Sequence, residues 1–222
     1  MKLPFALLVL LGFGWCCPLP SSALDFTLHS THIHAEALTL DGTYITDGKT
    51  KVMLRIPPDW RAADSPAALE LIPKQPSSTV RLAQVSGVQT LAFDAAGQAE
   101  LLKRSTAEVS SGAKSLEALP LVENLVPVNH WTSLEFAYRY VFFGQKMRTS
   151  VLYVNMKPGT VVTLKVVAPE EVFDEVHNQA RIMLSSWFEP ENDLPPGLAR
   201  EYETGADGKP LVLPPPNNNP LR

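Results

Sequence analysis

The hydrophobic pattern between residues 131 and 187 predicts three antiparallel strands followed by one helix. Residues 134–142 carry large apolar side chains at every second position, which is the spacing of a strand with one buried face. Residues 147–155 carry apolar side chains at odd and even positions, which predicts a central strand covered on both sides. Pro158 and Gly159 are typical of a type II turn, so we expect the chain to reverse there into a third strand over residues 161–167.

This segment ends in a predicted amphipathic helix. Pro169 suits the first helical position, where the N–H that it lacks would have no partner, and Glu170 and Glu171 favour a helix N-terminus. We interpret the apolar face of this helix as packing on the sheet, with His177 at its flank as a partly buried structural imidazole. The residues of that face follow at three- and four-residue steps and are Phe173, Val176, Ala180, Met183 and Trp187.

Shorter elements are predicted before this segment. Asp47 and Gly48 predict a turn between a first strand that ends near Ile45 and a strand over residues 51–56. The remaining predicted elements are strands over residues 68–72 and 79–85, a helix over 97–109, and a loop or edge strand over 116–128.

These patterns divide the chain into four segments. The predicted segments are a signal peptide over residues 1–23, an N-terminal arm ending in a first strand over 24–49, a folded domain over 50–188 and a proline-rich disordered tail over 189–222. In the first segment Lys2 precedes a short apolar run, and the small residues Ser21, Ser22 and Ala23 suit a cleavage site. We therefore expect an exported protein, periplasmic or extracellular.

Both cysteines of the chain, Cys16 and Cys17, lie inside the predicted signal peptide. A chain cut after Ala23 would therefore contain neither a disulfide nor a thiol nucleophile. Acylation of one of these cysteines, as in a lipoprotein, is the alternative. It is disfavoured because Trp15 and Cys16 are large where a lipid-attachment signal requires small residues.

Composition narrows the classes of function. A hydrophobic content of 45% allows a buried core, whereas a net charge of −4 without a basic cluster argues against nucleic acid as a partner. Beyond the signal peptide, no apolar run approaches the length of a transmembrane helix. The chain also lacks the Gly-x-Ser-x-Gly nucleophile elbow and any glycine-rich phosphate loop, so we expect a protein that is not an enzyme.

The pattern of elements over residues 50–188 resembles that of the PsbP/DcrB-like domains. The resemblance rests on the Pro-Pro-Asp-Trp segment at residues 57–60, on the strands and turns from residue 144 onward, and on the Ser-Ser-Trp-Phe end of the last helix at 185–188. It implies an α+β fold, an α/β/α sandwich around a central antiparallel sheet, in a single domain. It also implies a non-catalytic accessory or binding protein of the cell envelope, whose partner is an envelope protein or a small ligand.

One cluster of side chains in the N-terminal arm has the composition of a metal site. His29, His32 and His34 lie close together in sequence, with Asp25 and Glu36 nearby. In an extended arm His32 and His34 would project to the same side, and two imidazoles with a carboxylate could hold Zn²⁺ or Cu²⁺. Metal binding, by a carrier or a metal-dependent enzyme, is therefore the alternative function.

Three aromatic residues are the remaining candidates for a binding site. Trp60 follows the end of a predicted strand, where it either caps the sheet or lines a ligand groove with Tyr138 or Tyr140. The capping role is the more frequent one for a large aromatic side chain at such a position.

Overall fold

The computed structural model describes residues 24–35, 38–86, 88, 90–120, 131–157, 159–189 and 200–201. Within these ranges the side chains of residues 31–35, 38–41, 157 and 200–201 are not described. The predicted signal peptide, His130, Pro158 and most of the predicted tail therefore lie outside the described residues.

The described residues form eleven strands and two helices. In chain order the strands are β1 (Leu24–Ala35), β2 (Leu38–Asp47), β3 (Thr50–Leu54), β4 (Arg61–Ser65), β5 (Ala68–Ile72), β6 (Thr79–Gln84), β7 (Lys114–Ala118), β8 (Thr132–Phe142), β9 (Gln145–Lys157), β10 (Thr160–Pro169) and β11 (Arg200–Glu201). The helices are α1 (Ala95–Ala107), between β6 and β7, and α2 (Phe173–Ser185), after β10.

A seven-stranded antiparallel sheet, with strand order β4-β5-β6-β10-β9-β8-β7, forms the centre of the molecule. Its longest strands, β8, β9 and β10, are consecutive in sequence and pair through short turns. Gly144 and Gly159 take φ values of 82° and 85° in these turns, a conformation that glycine adopts without steric cost. A second sheet, with order β11-β1-β2-β3, is also antiparallel.

The two faces of the seven-stranded sheet are covered differently. On one face α2 and the smaller sheet share a large apolar cluster with the side chains of β5, β6, β9 and β10. On the other face α1 is attached through Leu101, which packs against β8 and β9. The first turn of α1 is capped by Asp94, whose Oδ1 accepts from the backbone N–H of Gly97 at 2.8 Å. The protein is thus a single-domain α+β fold, as predicted.

Most elements predicted from hydrophobic periodicity are confirmed. Strand β9 is covered on both sides, because Val151 and Tyr153 lie in one apolar cluster and Leu152 and Val154 in the other. The predicted apolar face of α2 is buried in full, and His177 is partly buried at its flank. Residues 114–118 form an edge strand, one of the two forms predicted for that region.

Three predictions of local structure are corrected. The N-terminal arm is two paired strands, β1 and β2, because a bulged ladder continues from Leu24 to Asp47 although the segment is polar. Pro169 does not begin the helix: it still pairs with Met147 in the sheet, and the helix begins four residues later at Phe173. In the predicted tail, Arg200 and Glu201 pair with β1.

Neither helix combines the length and apolar character of a bilayer-spanning segment, and the described residues contain no others.

Candidate binding cleft

The described residues cover only half of the sheet face that carries α1. Leu101 of α1 packs over β8 and β9, in an apolar cluster completed by Leu134, Phe136, Tyr138, Val151 and Tyr153. Over β6 and β10 the same face carries the exposed Arg81 and the half-buried Thr163 and Lys165. A helix of thirteen residues is too small to cover a sheet of seven strands. The side of α1 therefore rises as a step above the uncovered part of the sheet.

A cleft of about 440 Å³ lies along this step. Its floor comes from β6, β9 and β10, and its wall from the last turn and the C-cap of α1. The volume falls within the range of sites that bind small molecules in proteins. The lining residues are Arg81, Ala83, Gln84, Val85, Arg104, Ala107, Glu108, Val151, Tyr153, Thr163 and Lys165.

Strand register sets the floor of the cleft in two rows. Arg81 lies directly opposite Lys165, which in turn lies opposite Val151. Thr163 of the neighbouring row lies between Ala83 and Tyr153. Residues directly opposite one another on one face of a sheet have Cβ atoms about 5 Å apart, so the cationic side chains of Arg81 and Lys165 start side by side in the floor.

The three cationic side chains of the lining form ion pairs of two kinds, one with a carboxylate inside the cleft and two with carboxylates outside it. Lys165 Nζ donates to the backbone carbonyl of Glu108 at 2.6 Å and to its Oε2 at 3.1 Å, which attaches β10 to the C-terminal end of α1. Arg81 and Arg104 pair instead with carboxylates that do not line the cleft. Arg81 Nε lies 3.3 Å from Glu70 Oε1, and Arg104 Nε lies 3.1 Å from Glu100 Oε1. The lining itself therefore contains three cations and one carboxylate.

Tyr153 is the buried polar residue of the cleft. Its side chain is 3% exposed, its ring meets Phe136 edge-on at 6.2 Å, and its hydroxyl has no hydrogen-bond partner among the described residues. Burial and, to a smaller extent, the nearby Glu108 carboxylate raise the pKa of Tyr153 to about 12, while Arg104 opposes both effects. At neutral pH this phenol is therefore a hydrogen-bond donor and not a base.

Tyr138 and Tyr140, in contrast, have partners inside the protein. The Tyr138 hydroxyl lies 2.6 Å from Ser105 Oγ, and that of Tyr140 lies 3.0 Å from Thr149 Oγ1. Trp60 is 7% exposed, belongs to the apolar cluster of the opposite face, and donates from Nε1 to Gln179 Oε1 at 3.2 Å. The described residues therefore do not bring Trp60 and either tyrosine together in one groove.

The predicted histidine cluster lies on β1. His29 is exposed, lies opposite Tyr44 in β2, and its ring stacks on that of Tyr44 at 5.1 Å. The side chains of His32 and His34 lie outside the described part of the chain. Among the side chains that are described, no three of His, Cys, Asp or Glu are grouped as a metal site. Binding of Zn²⁺ or Cu²⁺ by His29, His32 and His34 thus stays a prediction.

A second cluster of polar residues lies on the opposite face of the sheet, which is packed against α2. The Glu135 carboxylate accepts hydrogen bonds from Ser150 Oγ at 2.5 Å and from Arg181 at 3.5 Å, and is bonded to His177 Nε2 at 2.5 Å. Ser150 is bonded to Glu135 and not to His177, so these three residues are not arranged as a nucleophile with its base. The group joins β8 and β9 to α2.

The cleft was not predicted from the sequence because its residues come from four elements that only the fold brings together. A partial signal is present in β10. There Thr163 and Lys165 alternate with the buried Val162, Leu164 and Val166, a pattern typical of a strand with one face at least partly open to solvent.

Comparisons with known proteins give no close relative. No family model matches the chain and no curated protein matches it, so membership of the PsbP/DcrB-like domains stays a prediction. Among solved structures, the chain is similar to LpqN of Mycobacterium tuberculosis, described as involved in cell envelope biogenesis. The identity is 16%, the match covers 70% of this chain and 87% of LpqN, and the TM-score is 0.38.

A second similar structure is a Pseudomonas aeruginosa protein, PA94, described as a protein of unknown function and putative regulator. It is 9% identical, over 71% of this chain and 94% of that protein, with a TM-score of 0.35. Both likenesses are too slight to transfer a function to this chain.

Proposed function

We propose that this protein is an exported, non-catalytic binding protein that acts in the cell envelope or outside it and takes up a small ligand in the cleft beside α1. The observation that carries the proposal is the Tyr153 side chain, which lies in the cleft lining while its hydroxyl has no hydrogen-bond partner among the described residues. The Tyr153 hydroxyl is not among the fully buried polar atoms without a partner, so it is reached from the cleft that Tyr153 lines. A ligand in the cleft that accepts from this hydroxyl adds a hydrogen bond of about 1 kcal/mol, and more if the accepting atom is charged.

A binding role accounts for the chemistry of the cleft better than catalysis does. With its pKa raised to about 12, Tyr153 keeps its proton at neutral pH and cannot serve as a general base. The only carboxylate of the lining, Glu108, is bonded to Lys165. The lining therefore offers donors and positive charge, which suit recognition, and no pair of groups poised for proton transfer.

The proposal is tested by closing the cleft with one substitution on the exposed surface of α1. Ala107 lines the cleft and is exposed, so Ala107→Trp should fill the cleft without disturbing the core. A screen of small aromatic fragments by protein-observed NMR should give shifts centred on the amides of Tyr153 and Thr163. Ala107→Trp should weaken those interactions by about tenfold or more.

The matched control is Ala99→Trp, because Ala99 is also exposed on α1 but does not line the cleft. It should leave fragment binding unchanged. Fragments that bind equally well to both variants, or no fragment that binds at the cleft at all, would overturn the proposal.

A further inference from the structure

Resting on the binding role proposed above, we infer that the ligand of this cleft is a small oxyanion, a carboxylate or a phosphate, carried on an apolar or aromatic body. Three features of the lining support this ligand class: a like-charge pair in the floor, carboxylates that pair with the arginines from outside, and a hydroxyl donor beside apolar surface.

The first feature is the pair of Arg81 and Lys165. The two residues lie directly opposite each other in the β6–β10 ladder, and like charges in that position destabilise a sheet. An oxyanion bound by Arg81 lowers this repulsion, because it adds negative charge beside both cations. The guanidinium of Arg81 is suited to this role because its N–H groups match the two oxygens of a carboxylate or phosphate.

The second feature is the exposure of the existing ion pairs. The side chains of Arg81 and Glu70 are 50% and 48% exposed, and those of Arg104 and Glu100 are 47% and 57% exposed. Exposed pairs of this kind contribute little free energy, so both arginines can exchange their carboxylate partner for a ligand.

Lys165 has a different role from the arginines. Its ammonium group binds both the main chain and the side chain of Glu108 at the end of α1, where a cation also favours the helix dipole. The Lys165 ammonium group therefore neutralises Glu108, the one carboxylate in the lining. Recognition of the anion is therefore assigned to Arg81 and Arg104, with Lys165 maintaining the shape of the cleft.

The third feature is the combination of Tyr153 with apolar neighbours. Its protonated hydroxyl can donate to an anionic oxygen, and such bonds are stronger than those between neutral groups. Val85 and Val151 in the same lining provide a surface for the body of the ligand. A ligand with a charged end and an apolar body matches both parts.

The experiment compares probes of one shape and different charge on the full chain. Phenyl phosphate and phenylacetate are the anionic probes, phenylacetamide is the neutral probe and phenethylamine is the cationic probe. Binding is followed by NMR shifts at the amides of Tyr153 and Thr163. We expect the anions to bind at least tenfold more tightly than the neutral probe, and the amine not to bind.

Two variants that break the same ion pair separate charge recognition from structural damage. Arg81→Gln removes the cation and should weaken phenyl phosphate binding about tenfold, the equivalent of one charge-assisted hydrogen bond. Glu70→Gln breaks the same Arg81–Glu70 pair but leaves the cation, so binding should be unchanged or tighter. Equal weakening by both variants would overturn the inference.

The probe series also separates this inference from the proposed function. If phenylacetamide or phenethylamine binds at the cleft as tightly as phenylacetate, the ligand is not an anion, but the cleft is still a binding site. If no probe of any charge shifts the cleft amides, the proposed function fails as well. If the anions bind, phenyl phosphate is compared with dihexanoyl phosphatidic acid. Tighter binding of phenyl phosphate indicates a free phosphate compound as ligand, and tighter binding of the phosphatidic acid indicates a lipid headgroup.

Discussion

The two faces of the seven-stranded sheet differ in how completely they are covered. One face is closed by α2 and the smaller sheet, and its apolar cluster takes in side chains from eight elements. The other face has α1 over β8 and β9, while the part of the chain that the structure describes leaves the half formed by β6 and β10 open. Adjacent residues of β10 show the difference: Leu164 is 1% exposed in the closed face, whereas Lys165 is 25% exposed in the cleft.

This difference suggests a division of roles between the faces. Apolar burial stabilises by about 25 cal/mol per Å² of surface removed from water, so most of the folding free energy should come from the closed face. Polar groups on that face, such as Glu135, are bonded to neighbouring elements. The open face keeps a polar group, the Tyr153 hydroxyl, available to a ligand.

The largest effect is expected from a cavity in the closed face. Leu164→Ala should lower the free energy of unfolding by about 2–5 kcal/mol, because the buried side chain cannot be replaced by solvent or a neighbour. The matched change on the open face, Thr163→Ala, should cost less than about 1 kcal/mol. Urea unfolding followed by circular dichroism measures both. Equal losses would show that the two faces contribute alike.

A smaller, pH-dependent effect is expected from Glu135. Burial raises the pKa of Glu135, but the hydrogen bond and charge of His177 and the contacts from Ser150 and Arg181 outweigh burial and hold the pKa below its ordinary value of 4.5. The ionised carboxylate therefore stabilises the fold above pH 4.5, and this contribution is lost as the pH falls through the lowered pKa.

Glu135→Gln should accordingly cost about 2 kcal/mol at pH 7, and its deficit relative to the unmodified protein should shrink below pH 4.5. Urea unfolding of both proteins at pH 7 and pH 3.5 measures the change. The exposed Glu171, which lies outside this group, provides the control as Glu171→Gln. A deficit of the same size at both pH values would rule out the ionised carboxylate as its source.

Within the α1 face, Tyr138 gives a still smaller effect. Its hydroxyl is bonded to Ser105, which is 0% exposed, and lies 3.1 Å from Thr106 Oγ1. Tyr138→Phe should therefore cost about 1 kcal/mol, the usual contribution of one buried hydrogen bond. Thermal and urea unfolding should agree on this value. No loss at all would mean that these bonds do not hold α1 on the sheet.

The sequence predicted elements best where local pattern and packing agree. The alternation of β8, the double-sided β9 and the apolar face of α2 arise from side chains that the core buries, so periodicity locates them. Strands β1 and β4 were missed because they are held by pairing with neighbours: all five residues of β4 are exposed, and β1 is polar along much of its length. Such strands leave no hydrophobic period to detect.

The candidate site could not be predicted for a related reason. Arg81 and Lys165 are 84 positions apart in sequence, and only the antiparallel register of β6 with β10 makes them neighbours. Trp60, Tyr138 and Tyr140 are aromatic residues of the kind that favours binding sites, but their buried positions depend on how the elements pack together. Tyr153 differs from Tyr138 in having no hydrogen-bond partner among the described residues, a property that exists only in the folded protein.

The central claim is that the open face binds a ligand through a hydroxyl with no structural role. Tyr153→Phe tests it with the smallest possible change, measured on one sample by urea unfolding and by titration with phenyl phosphate. We predict an unfolding free energy within about 0.5 kcal/mol of the unmodified protein, because the substitution removes no hydrogen bond inside the protein. We also predict an affinity about tenfold lower, because one hydrogen bond to the anion is lost. A loss of stability with unchanged affinity would contradict the account.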